Sequence, residues 1–120
     1  MLLFDTTQLG LQRALAGAAA RQQAIATNLA NVNTPGYRRR DVNFEDALAS
    51  AFAAENGSRV ADAPLQIVAD MRAPMRADGS TTDVDTEAAA EARNGLQYQA
   101  ISAALKARNQ ILRSAMGIGS

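Results

Sequence analysis

Two stretches carry the strongest chemical signals in the chain: three adjacent arginines, Arg38-Arg39-Arg40, and an acidic run, Asp83-Val84-Asp85-Thr86-Glu87. Clustered guanidinium groups can grip phosphate through their forked donors. Here no aromatic side chains interleave with them, and Asp41, Glu45 and Asp46 follow closely, so the run reads as solvated and locally neutralised. In an assembly the same arginines could pair across subunits. The acidic run has a spacing that suggests a calcium loop, but it lacks the Asp-x-Asp-x-Asp-Gly order and the closing Glu. Acidic residues at the start of a helix complement its dipole, which is the better reading. The chain contains no His and no Cys, which removes the commonest general base and all thiolate chemistry. No Ser, Asp or Lys sits in a recognisable catalytic motif. The expectation is therefore no enzyme, no cofactor and no metal site.

The elements that hold these residues must come from a chain of 120 residues, a length that points to one domain spanning 1–120. Aromatics make up 4%, Trp is absent, and much of the 48% apolar content is alanine. Alanine favours helix and lets helices approach closely, but contributes little burial each. A helical protein that relies on its neighbours has this composition. With 12 basic and 12 acidic residues the net charge is zero. That gives no electrostatic case for nucleic acid or an anionic membrane as partner. The start, Met1-Leu2-Leu3-Phe4-Asp5, is apolar but too short for a signal peptide, and no transmembrane stretch follows.

Residues 1–33 read as a long helix, running from about Thr6 to Asn31. Leu11, Leu15, Ala18, Gln22, Ile25, Leu29 and Val32 recur at steps of four and three, a heptad seam that Phe4 extends. Gly17 inside the alanine run is either tolerated drift or the mark of a close neighbour. Thr34-Pro35-Gly36 stops the helix: Pro35 disfavours helix at Thr34 and lacks an N–H, and Gly36 can take φ > 0. Asn28, Asn31 and Tyr37 frame this turn, read as type II about Pro35-Gly36. Residues 34–83 then hold the turn, a short helix capped by Asn43, and an irregular connector. Phe44, Ala47, Leu48, Ala51 and Phe52 line one face of the short helix, which ends near Asn56-Gly57. Pro64, Pro74 and Asp78-Gly79-Ser80 break up the connector, with a short extended segment around Leu65 and Ile67. Residues 84–120 form the last helix, stopping at Gly117. Ala88, Gly95, Tyr98, Ser102, Leu105, Leu112 and Met116 follow the four-three rhythm.

The fold class is mainly α: an antiparallel, coiled-coil-like pair of terminal helices joined by the short helix and a partly extended connection. A register that sets Val32 level with Val84 places Ala18 against Tyr98 and Leu11 against Leu105. Leu11, Leu15, Ala18, Ile25, Leu29, Tyr98, Leu105 and Leu112 are then the pair's seam, and small residues at 17–20 make room for the Tyr98 ring.

The run from Asn28 to Tyr37 resembles the signature of bacterial flagellar basal-body rod and hook proteins, whose N-terminal helix ends in Ala-Asn-x-x-Thr-Pro-Gly-Tyr. The stretch 78–87, Asp-Gly-Ser-Thr-Thr-Asp-Val-Asp-Thr-Glu, looks like the Asp-Gly-Asn-x-Val-Asp-x-Asp-x-Glu run of the FlgB family of proximal rod proteins, departing at Ser80 and Thr82. Asn94-Gly95-Leu96-Gln97-Tyr98-Gln99 is similar to that family's Asn-x-Leu-x-Tyr-Gln segment. The related FlgC family shares the first motif but not the last. The resemblance implies a structural subunit that polymerises helically with itself and other rod proteins into the torque-transmitting shaft. It further implies contacts with the adaptor FliE and the membrane ring, a place in the periplasmic rod, and passage through the flagellar type III export apparatus without a cleaved signal peptide. Arg38, Arg39, Arg40, Phe44, Leu48 and Phe52 are the candidate subunit interface, with packing on their own helix pair the equal alternative for Phe44, Leu48 and Phe52, and no nucleic acid is implied. The alternatives are a FlgC-like rod protein and a helical-bundle adaptor or export chaperone. The latter would be a discrete monomer or dimer in solution.

Overall fold

The computed structural model describes residues 2–77, 79 and 81–117, with side chains from residue 6 onward. Phe4 as a seam residue, and Asp78 and Ser80 of the connector, lie outside the described residues.

Helix α1 runs Leu2–Ala30, at 29 residues about 43 Å long. It frays through Asn31, whose N–H donates to the Thr27 carbonyl at 3.1 Å. The stop follows at once: Gly36 has φ 76°, and the Tyr37 N–H donates to the Thr34 carbonyl at 3.2 Å. This is the geometry of a type II turn with Pro35 and Gly36 at its centre.

The chain after the turn is more ordered than its sequence suggests. Strand β1, Arg40–Asn43, leads into helix α2, Glu45–Ala53. Asn43 therefore belongs to a strand, and it is Phe44 that stands at the N-cap of α2, without a side-chain capping bond. Glu55 at φ 51° turns the chain into a short helix α3, Gly57–Ala61. Here Asn56 is the cap, accepting from the Arg59 N–H at 3.2 Å. Strand β2, Gln66–Ala69, pairs antiparallel with β1, with Val42 opposite Ile67. The extended segment around Ile67 thus has a partner that local pattern did not reveal.

Helix α4, Val84–Ala115, starts where Asp83 caps it, accepting from the Thr86 N–H at 3.1 Å. It packs antiparallel along α1. Gln8 reaches Asn109 at one end (3.3 Å), and Asn28 reaches Glu87 at the other (3.3 Å). The molecule is a flat, elongated body of 61 × 32 × 14 Å. No helix among the described residues is long and apolar enough to cross a membrane.

The apolar core lies between α1 and the middle segment. Val42, Phe44, Leu48, Ala51, Val60 and Ala63 are buried together with Ala24 of α1, and Leu9, Ala14, Phe52 and Leu65 pack around them. Two glycines make this docking possible. A Cβ at Gly17 would stand 2.6 Å from the Phe44 ring, and one at Gly10 would overlap the tip of Phe52. Gly17 is thus the floor of a socket, and its occupant is Phe44 of the same chain. Ala19 and Tyr98 border one groove, but the Tyr98 ring is not enclosed there and remains 40% exposed. Ala18 instead meets Asn94, whose Nδ2 donates to the Ala18 carbonyl at 2.9 Å.

Candidate functional site

The turn motif is anchored by a side chain inside the fold. Asn28 is fully buried in the last turns of α1, and both ends of its amide are in use. Its Nδ2 donates to the Arg40 carbonyl at 2.8 Å and to Glu87 Oε2 at 3.3 Å. Its Oδ1 accepts from the Tyr37 hydroxyl at 2.8 Å and from the Arg40 N–H at 2.9 Å. One side chain thereby ties α1, the turn, β1 and α4 together. A buried amide left without these partners would cost about 1–3 kcal/mol.

Arg39 makes the second tie. Its Nε donates to Glu87 Oε1 at 2.5 Å, and its Nη1 pairs with Asp70 Oδ2 at 2.5 Å. Glu87 is fully buried, so the acid that opens α4 neutralises an arginine of the turn as well as facing the helix N-terminus. The backbone joins in: the Arg39 N–H donates to Thr81 Oγ1 at 2.7 Å, and the Thr81 N–H donates to the Tyr37 carbonyl at 3.0 Å. Hydrogen bonding to Glu87 holds the Arg39 guanidinium above its ordinary pKa. Burial pushes the Tyr37 phenol up. Burial also pushes the Asp70 carboxyl up, but the Arg39 bond and the Arg72 and Ala73 N–H groups outweigh it and hold the group below its usual value.

Arg21 fastens β1 and α2 to α1. Its guanidinium reaches Asp41 (3.2 Å), Glu45 (2.6 Å) and the Val42 carbonyl, and lies 4.9 Å from the centre of the Phe44 ring. Asp41 and Glu45 therefore neutralise Arg21 and not the arginine triplet. Arg13, two turns earlier, donates to the Ala63 carbonyl at 2.7 Å. The triplet itself divides: Arg39 points inward, Arg38 is half-buried and Arg40 is exposed.

The other motif residues lie at the surface: Thr34, Pro35 and Gly36 are exposed, and Asn31 accepts from the Thr34 hydroxyl at 3.1 Å. Along the helix pair, Ala18 and Ile25 are buried, and Leu11, Leu15, Leu29, Leu105 and Leu112 are half-buried. On α4 the innermost residues are Glu87 and Asn94, one position before Ala88 and Gly95 of the apolar rhythm. Of the two readings open for Phe44 and Leu48, a subunit interface or packing within the chain, the structure has the second: both are buried in this chain's own core, with Phe52 half-buried at its rim. The residues that pattern reading passed over are Glu87 as an ion-pair partner, Arg21, Thr81 and Gly10. Only a glycine in an otherwise strong helix, and a carboxylate closing the run 78–87, hinted at them.

The arrangement is a polar knot that fixes the angle at which the middle segment leaves a helix pair. A family model described as flagella basal body rod protein matches residues 11–38, the part of α1 and the turn that carries the knot's anchor. The FlgB flagellar basal body rod protein of Escherichia coli (strain K12) is 32% identical, covering 86% of this chain and 90% of its own. The FlgB protein of Bacillus subtilis (strain 168) is 30% identical over 84% of this chain and 85% of its own. That of Proteus mirabilis (strain HI4320) is 34% identical over 74% and 77%. The similarity to the first two reaches well beyond the turn, through the connector and into the helix that supplies Glu87, so the chain belongs to the FlgB family of flagellar basal body rod proteins.

Proposed function

We propose that this chain is a structural subunit of the proximal part of the flagellar basal-body rod and that it polymerises helically through its terminal helices. The observation that supports this most directly is the set of large apolar side chains that α4 leaves in water. Leu96, Ile111, Val84 and Tyr98 are 69%, 62%, 51% and 40% exposed, along a helix that spans the length of the molecule. A helix that keeps large apolar residues in water along several turns gains stability when a neighbour covers them. Contacts between unlike faces of a flat body are heterologous, and where their rotation does not close they generate a filament. The work is done by surfaces and not by a reaction.

On this reading the chain sits in the periplasmic rod at its base, beside other rod proteins, the adaptor FliE and the membrane ring. It reaches that place through the flagellar type III export apparatus. A subunit whose apolar core rests on a few side chains suits export in an unfolded or partly folded state. The test is a clean deletion of the gene followed by electron microscopy of isolated basal bodies. The expected result is a membrane ring that lacks the rod and everything distal to it. Complete rods in the deletion strain would overturn the reading.

A further inference from the structure

A groove of about 460 Å³ runs beside the α1–α4 seam, on the side away from β1. Successive turns of α4 place Glu91, Asn94, Gly95 and Tyr98 along it, with Gln22 of α1 opposite. The amides here have one orientation. Asn94 Nδ2 faces two oxygens, the Ala18 carbonyl (2.9 Å) and Gln22 Oε1 (3.1 Å), and Gln22 Nε2 faces the Glu91 carboxylate (3.4 Å). Flipping either amide would set oxygen against oxygen. That leaves Asn94, a residue only 3% exposed, with an Oδ1 that has no hydrogen-bond partner. At Gly95 the place of a side chain is open space, with nothing within 4 Å. The groove therefore offers the exposed Glu91 carboxylate and a partly exposed aromatic ring two helical turns apart, with the orphan oxygen buried in the wall behind them. A guanidinium suits such a lining, because it donates in a fork to carboxylate oxygens and stacks on aromatic faces.

The same chain presents a matching group outside that groove. Arg40 is exposed, and its guanidinium makes no hydrogen bond or ion pair among the described residues. Its backbone is nevertheless held from both sides, N–H and carbonyl each bonded to the buried Asn28 side chain. A cation on a fixed base, with no ion-pair partner among the described residues, is available to bind something outside the subunit. Arg40 is not among the residues that line the groove, so the two patches are separate places on the surface.

We infer that Arg40 of one copy enters the Glu91–Asn94–Tyr98 groove of the next copy, so that the buried Asn28 of the turn motif serves to aim an intersubunit contact. This rests on the assembly proposed above and names one of its lateral contacts. The chain has no cysteine, so an introduced pair gives a clean readout. Arg40→Cys and Gln99→Cys, placed together in the only cellular copy of the gene, are expected to give dimers and a ladder of higher oligomers on oxidation of isolated basal bodies. Either change alone should give none. Separately, Arg40→Glu and Glu91→Arg should each reduce intact basal bodies by about tenfold or more, and the double exchange should restore them. Rods that form without any Arg40–Gln99 cross-link, or that are indifferent to Arg40→Glu, overturn the inference. If the gene deletion leaves rods intact, it is the rod assignment that fails instead.

Discussion

At the scale of single residues, the decisive interaction is the pair of Arg39 with Glu87. Both charges are withdrawn from water, Glu87 completely, so each needs the other. Changing Glu87→Gln keeps the shape and the Asn28 contact but leaves the guanidinium facing a neutral amide. Breaking one side of such a pair costs about 3–5 kcal/mol, and urea unfolding should show a loss of that order. A loss under about 1 kcal/mol would mean that Asp70 alone satisfies Arg39. Asp70 and Glu45 make a second prediction. For Glu45, burial raises the pKa, and the Arg21 bonds more than reverse it. Both carboxylates therefore titrate below their unfolded values. Their contribution is fully present above the ordinary carboxylate range and is lost as pH falls through the depressed folded values. The urea midpoint should hold steady from pH 7 to 5 and fall below about pH 4, with a shallower fall in Asp70→Asn.

At the scale of elements, α2 is held on α1 by two aromatic rings in glycine sockets, and the sockets differ. Phe44 is sealed, 2% exposed, and a Cβ at Gly17 would strike the near side of its ring, at Cγ and Cδ1. Phe52 is half-buried, and a Cβ at Gly10 would meet the far tip, which can swing outward. Alanine gains about 1 kcal/mol of helix propensity over glycine at either site. Overpacking costs about 1–3 kcal/mol. Gly17→Ala should therefore be net destabilising by about 1–2 kcal/mol and be relieved by Phe44→Leu, while Gly10→Ala should be close to neutral. Equal effects at both glycines in thermal unfolding would remove the distinction between the sockets. The two cases also show what a single sequence can express. The ends of the long helices were legible because their signals are local: Pro35-Gly36 stops one, Asp83 caps the other, and Gly117, at φ 71°, closes it. A glycine announces a close approach but not what approaches. The β1–β2 pairing joins Val42 to Ile67 across two intervening helices, and no local periodicity encodes it. Glu87 and Asn94 escaped notice as inner residues of α4 because polar types read as solvated, although buried hydrogen bonds make them the most enclosed positions of that helix.

At the scale of the whole molecule, the buried interactions are unevenly distributed along its length. The knot of Asn28, Arg39 and Glu87 gathers α1, β1 and α4 where the turn leaves the pair, and the apolar core continues from there along α1. Toward the other end, α4 leans on α1 alone. From residue 100 onward none of its residues is buried, and its ties include half-buried leucines at 105 and 112 and the Gln8–Asn109 bond. Local opening should therefore cost least at that end and most around the knot, since protection follows buried contacts. Hydrogen exchange on the isolated chain is expected to be fast over residues 100–115 and slowest near residues 24–30 and 87–94. In assembled basal bodies the fast region should slow by orders of magnitude, because Ile111 and its neighbours become covered. Uniform protection along α4 in the isolated chain would contradict this, since it would require the exposed end to be as tightly held as the knot. The gradient also has a use in assembly. A subunit with one firm end and one loose end can enter a growing lattice with its turn and Arg40 already positioned, and order the rest of its helix pair against whatever it meets.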